Sequence, residues 1–179
     1  MKKGFLEPSK LCGRMSLGII KSVVGPHNIS ASILALSSLP HISYVDQFTL
    51  SFRPFHPPSL STTPEQWARA MFGNVPNIFS LLIWRGLLGL RLSRERSPST
   101  IAGWKIGGQG EDWVRLEASG WLMAGNMIVR RGEGWVELVT TLFYRRWLGW
   151  VVWGILGGVH RSVVPGVLRG AVRRVKVGR

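Results

Sequence analysis

Residues 100–144 leave no room for a helix between their apolar segments. Four strand-like runs, IAGWKIG, DWVRLEAS, WLMAGNMIVRR and GWVELVTTLFYR, are separated only by GGQG, Ser119-Gly120 and RGEG. Parallel neighbours need a crossover of a dozen or more residues, so these runs can pair only antiparallel. The glycine-rich joints suit tight turns. Alternation assigns the faces: Val114, Leu116 and Ala118 point one way, with Arg115 and Glu117 opposite. On the third run Leu122, Ala124, Asn126 and Ile128 share a face, and Met123 and Met127 take the other.

Upstream, Phe48, Leu50 and Phe52 alternate with Thr49, Ser51 and Arg53, which predicts another strand, ended by Pro54, Pro57 and Pro58. In TTPEQWARAMFG, Thr63 can cap a helix, Pro64 suits its first turn, and Gln66 completes a capping box. Trp67, Ala70 and Met71 then share a face until Gly73 stops the helix. A second helix is expected from Asn74 and Pro76 onward, carrying Ile78, Leu81, Leu82, Leu88 and Leu92, with Arg85 and Arg91 marking it as amphipathic.

The C-terminal stretch RRWLGWVVWGILGGVHRSVVPGVLRGAVRRV holds thirteen uninterrupted apolar or glycine residues, Trp147 to Val159. A bilayer crossing needs about twenty. His160-Arg161 follow at once, Gly154, Gly157 and Gly158 favour close packing, and Pro165 should bend or divide the helix. A long helix packed on a sheet explains more of these features than a span does. The formal charge is +14, and every acidic residue lies at or before Glu137, so the C-terminus is uniformly basic. Such a field attracts phosphates on lipids or nucleic acids. Cys12 is the only cysteine, which leaves no intramolecular disulfide or cysteine-based zinc site.

The whole order is strand, two helices, antiparallel meander, long terminal helix. It resembles the helix-grip fold of the START, Bet v1 and polyketide-cyclase-like proteins. More closely, SYVDQF, PEQWARAMFG, VTTLFYR followed by LG, and HRSVVPGVLRGAV resemble a bacterial family known as domain of unknown function 2867. The resemblance covers roughly Leu39 to Val175 and implies an α+β fold: a curved antiparallel sheet of about five strands wrapped on the last helix, with a helix pair after the first strand. Residues 1–38 are then an extension with little specified structure, and 39–179 the helix-grip domain with its basic tail. Helix-grip proteins commonly have six strands after the helix pair, where only about four fit here. The resemblance implies a hydrophobic cavity and carries no established activity.

A small hydrophobic molecule or lipid is therefore the expected partner, held between sheet and helix. The strands supply Leu116, Leu122, Ala124, Asn126 and Ile128 as candidate contacts. The last strand and helix add Leu138, Thr140, Trp150 and His160. Asn126, if inward, must find a partner for its amide, because an unpaired buried amide costs on the order of 1–3 kcal/mol. His160 is the one weak catalytic candidate, able to exchange protons near neutral pH in a cyclase- or hydratase-like reaction. No carboxylate stands near it in sequence; Glu117 and Glu137 are expected at the surface, and Asp46 to cap or pair with an arginine. No HExxH, Walker, Rossmann or GxSxG pattern occurs, so no metal or cofactor is expected, and hydrolase or dehydrogenase chemistry is disfavoured. The rival reading is a peripheral protein on an anionic membrane surface, using tryptophans and the basic tail. Nucleic-acid binding ranks last, for want of a reading motif. A cytoplasmic location, in contact with a membrane at most peripherally, follows from these expectations.

Overall fold

The computed structural model describes residues 18–52, 62–74, 82–93, 95 and 97–177. Strand β1 (Ile20–Val24) leads through a 3-10 turn (Pro26–Asn28) and α1 (Ala31–Leu34) into β2 (Tyr44–Ser51). Helix α2 (Pro64–Phe72) and a π-helical turn (Leu82–Leu87) precede the short strands β3 (Leu90–Arg91) and β4 (Thr100–Ile101). The meander β5 (Trp104–Gln109), β6 (Trp113–Gly120), β7 (Met123–Gly132) and β8 (Trp135–Tyr144) then runs into α3 (Trp147–Val177).

The protein is α+β, with one antiparallel sheet of eight strands in the order β1-β2-β8-β7-β6-β5-β4 and β3 also paired to β6. The expected count of about five strands is thus too low. Strands β3 and β4 have two residues each, too few to display alternation, and β1 lies upstream of the expected domain start. Ala102 (φ 48°) and Gly103 (φ 81°) turn β4 into β5, the left-handed pair that a two-residue hairpin demands. A Cβ on Gly120 would stand 1.8 Å from the Gly89 carbonyl oxygen, so only glycine lets β3 lie so close to β6.

Pleating sorts the strands' side chains onto two faces. The inner face presents Phe48 and Leu50 of β2, Leu116 of β6, Met127 and Val129 of β7, and Leu138 and Leu142 of β8. These pack with Trp67 and Met71 of α2 and with Trp153, Val164, Leu168 and Val172 of α3. The outer face carries a smaller apolar cluster, Val45, Ile128 and Val139, covered by Ile29 and Ile33. Residues 18–38, placed by sequence outside the domain, therefore supply an edge strand and a cover. Their covalent course is pinned by hydrogen bonds: Arg115 donates to the Leu36 carbonyl at 2.7 Å, and Asn126 Oδ1 accepts from Ser37 Oγ at 2.8 Å and Ser38 N at 2.9 Å.

The helix signals around Thr63 act as read. The Gln66 amide donates to Thr63 Oγ1 at 3.2 Å, and the Thr63 amide to Gln66 Oε1 at 2.8 Å, closing the capping box. The first part of the second expected helix (75–81) lies outside the described residues; the remainder holds the π-helical turn and β3 in place of a continuous helix. Helix α3 continues through Pro165 without dividing. The proline costs it one backbone hydrogen bond, to the carbonyl of Arg161, a residue exposed to solvent. Among the described residues, α3 is the one helix long and apolar enough to cross a membrane, and only 22% of its most apolar window is buried. One face of α3 packs on the sheet and the other is bare, so the helix is not enclosed on all sides.

Candidate functional site

A cavity of about 400 Å³ lies between the inner face of the sheet, α2, the π-helical turn and α3. Its walls are mostly apolar: Met71, Ile83, Trp84, Leu90, Trp104, Met127, Leu138, Leu142, Trp153, Leu156 and Val164 are among them. Strand parity brings Met127, Leu138 and Leu142 to one surface, and helical spacing adds Trp153, Leu156, His160, Val163, Val164 and Val167 opposite. Trp84 and Trp104 meet edge to face at 5.5 Å. Thr140 and His160 are the polar members of the described lining.

Two further polar groups face unmet requirements. Trp104 and Trp153 are 3% and 6% exposed, both line the cavity, and neither indole N–H has a hydrogen-bond partner. A buried donor without an acceptor costs about 1–3 kcal/mol. A ligand oxygen or an ordered water would remove that cost.

Behind His160 stands Asp46, fully buried on the inner face of β2. His160 Nε2 is 3.1 Å from Asp46 Oδ2 and 3.3 Å from Thr140 Oγ1. Tyr44 donates its phenol to Asp46 Oδ2 at 2.7 Å, and Arg161 donates to the Tyr44 oxygen at 3.3 Å. Asp46 and Thr140 are register partners across β2 and β8, which sets the carboxylate beside the hydroxyl under α3. An ionised carboxylate only accepts, so the hydrogen bond between the two runs from His160 Nε2–H to Asp46. The Tyr44 phenol is pushed well above its ordinary value, first by burial, then by the neighbouring Asp46 charge and their hydrogen bond, with Arg161 opposing. Burial alone pushes Tyr144 up to about 12. Chemically, the cluster can position a polar ligand end, take up a proton at His160, or present the Thr140 hydroxyl beside the imidazole.

Of the residues expected to touch a ligand, Leu138, Thr140 and His160 line this cavity. Leu116 and Leu122 are buried in the core away from its lining. Ala124, Asn126 and Ile128 belong to the outer face. The first two border a broader, more open polar depression of about 620 Å³, while Ile128 lies under the N-terminal cover. On β7, Ala124, Asn126 and Ile128 share one face as the alternation predicts, but Leu122, just ahead of the strand, packs in the inner core, and it is the methionine side of the strand that faces the cavity. Asn126 is satisfied by Ser37 and Ser38, from a segment that the sequence had set outside the domain. Trp150 is 69% exposed on the bare side of α3, and Trp153, nearly one turn on, takes the inward place.

Two carboxylates depart from expectation. Asp46 pairs with a histidine in place of a capping or arginine role. Glu137 is buried at 4% exposure, accepting from Gln47, from Thr49 at 3.0 Å and from Arg130 at 3.2 Å. It lies on the outer face beside the N-terminal cover, where burial requires such partners. Among the described residues no group of three or more metal-ligating side chains forms. Compared with protein-family models and with curated proteins, the sequence matches none.

Proposed function

We propose that the protein is a helix-grip binding protein, related to the domain of unknown function 2867 family, that holds a neutral amphipathic molecule between its sheet and α3. Six strands follow α2, the number common in helix-grip proteins and more than the sequence had suggested. The observation that carries the binding reading is an apolar cavity of about 400 Å³ lined by two tryptophans whose buried indole N–H groups lack hydrogen-bond partners. That volume falls within the usual range for small-molecule sites. The ligand is apolar over most of its surface and ends in an oxygen that accepts hydrogen bonds, such as a ketone, ester or alcohol.

Charge narrows the class further. The one ionisable side chain in the described lining is His160, and it is already tied to Asp46. A fatty carboxylate would meet no free cation there and would approach a buried anion, at a desolvation cost that the pair cannot offset. Burying about 200 Å² of apolar ligand surface contributes roughly 5 kcal/mol before the cost of immobilisation.

The test is a titration followed by tryptophan fluorescence, comparing an alkyl methyl ketone, the alcohol and the carboxylate of equal chain length. Saturable quenching by the ketone and alcohol is expected, with the carboxylate at least about tenfold weaker, a difference of 1.4 kcal/mol. Val167→Phe, which intrudes on the lining, should weaken the ketone by a similar factor. Absence of saturable quenching by any of the three would sink the binding reading, and preference for the carboxylate would sink its neutral-ligand form.

A further inference from the structure

Six of the ten exposed large hydrophobic side chains among the described residues lie on α3: Trp147, Leu148, Trp150, Ile155, Val159 and Val163. Ile155 is 74% exposed and Trp147 78%. Two of the glycines between them, Gly154 and Gly158, do not serve internal packing, since a Cβ on either would meet nothing within 4 Å. A contiguous apolar strip of this kind on a water-facing helix marks an interaction surface.

The charges beside the strip identify its occupant. Arg145 and Arg146 immediately precede the helix, and Arg146 lies over the ring of exposed Trp121 at 5.9 Å. Ile155, Ser162 and Arg169 are spaced by seven, two helical turns, so the face that is apolar in its first half becomes basic beyond Ser162. Arg173 follows on the same side, and α3 contains no acidic residue. Basic groups thus bracket the apolar strip over about 35 Å, from Arg146 to Arg169. A second copy of the chain is a poor occupant: a twofold contact would set this helix against itself and bring unpaired arginines together. Anionic lipid headgroups meet both requirements, taking the apolar side chains below the headgroup level and the guanidinium groups at it.

We infer that the bare face of α3 docks flat on an anionic bilayer through Trp147, Trp150 and Ile155, with Arg145, Arg146, Arg169 and Arg173 on the headgroups. Val159 and Val163 are about half exposed and also line the cavity, so the cavity reaches the surface at the edge of the docked face. An apolar molecule would then pass between bilayer and cavity without crossing bulk water. The docking itself does not depend on what the cavity holds.

The full chain is mixed with vesicles of phosphatidylcholine alone, or of phosphatidylcholine with phosphatidylglycerol, and floated. Binding is expected to the anionic vesicles, to weaken with added salt, and to exceed binding to the neutral ones. Trp150→Ser with Ile155→Ser should weaken partitioning at least roughly tenfold while the circular dichroism spectrum stays native. Ile19→Ser, a change at another exposed apolar residue, should leave it intact. Protein that stays below the vesicles, or a double variant that binds as tightly as the parent, overturns the docking. So does a dimer in solution that Ile155→Arg dissociates, or protein that high salt and alkaline carbonate fail to release, which is the behaviour of a spanning helix. If the double variant unfolds, Arg145→Gln with Arg146→Gln carries the same test, with the same tenfold threshold.

Discussion

Asp46 shows how one side chain can commit a structure to a set of partners. It sits on the apolar phase of β2, two residues before Phe48, and has no contact with water. Its stability depends on the Tyr44 hydroxyl and the His160 ring. Removing one partner from a buried charge leaves the other uncompensated, so His160→Ala should cost about 3 kcal/mol in urea unfolding. Replacing both with leucine should cost clearly less than the sum of the single changes, because the buried charge leaves with its partner. Additive losses would mean the two groups are not coupled. The chain has only two tyrosines, and both phenols are raised above the ordinary value of 10.0. A raised phenol favours the protonated folded form. The stability it contributes is complete below pH 10 and is lost as pH rises from there through the folded-state values. The tyrosinate absorbance of the native protein should therefore lag that of the urea-unfolded chain, with Tyr144 appearing near pH 12. Coincident curves would contradict the burial. The partnership of Asp46 and His160 was hidden by a sequence separation of 114. An acid at even spacing with Phe48 and Leu50 was nonetheless a legible sign of burial.

At the scale of elements, strong local patterns transferred and weak ones did not. The capping box at Thr63 and the alternation of β6, β7 and β8 are each written in adjacent residues. Which side of β7 looks inward is not, because both of its faces are buried and its periodicity is equally apolar on each. The same ambiguity displaced Trp150 in favour of Trp153: on α3, apolar residues surround the axis and the sequence marks no inner face. That helix also carries glycines at an entropic cost of about 1 kcal/mol each relative to alanine. Gly154, Gly158 and Gly166 have open space around them. Alanine at any of the three should raise stability by roughly 0.5–1 kcal/mol, read as a higher midpoint of thermal unfolding. Gly157 differs, since a Cβ there would lie 3.3 Å from the Trp153 indole nitrogen and from an Arg161 nitrogen. An unchanged midpoint for all three open positions would argue that their backbone is not free in solution.

For the molecule as a whole, the sheet has two covered faces, and only one was foreseen. The inner core follows from the meander and the terminal helix. The outer cluster needs Ile29 and Ile33, which come from a stretch whose strand, IKSVV, alternates too weakly to announce itself. It is an edge strand, half in solvent, and its place is decided by pairing with β2 over residues 20–24. Long-range pairing of this kind leaves little trace in local composition.

That segment is in effect a strap buckled across the back of the sheet, and its loss has a definite cost. A chain begun at Leu39 would present Val45, Ile128 and Val139, each buried in the intact protein, directly to water. It would strip Asn126 of both serines and bare the hydrogen-bonding edge of β2 to any passing strand. Such a truncated chain should self-associate during expression while the strapped one stays dispersed, a contrast that light scattering would register.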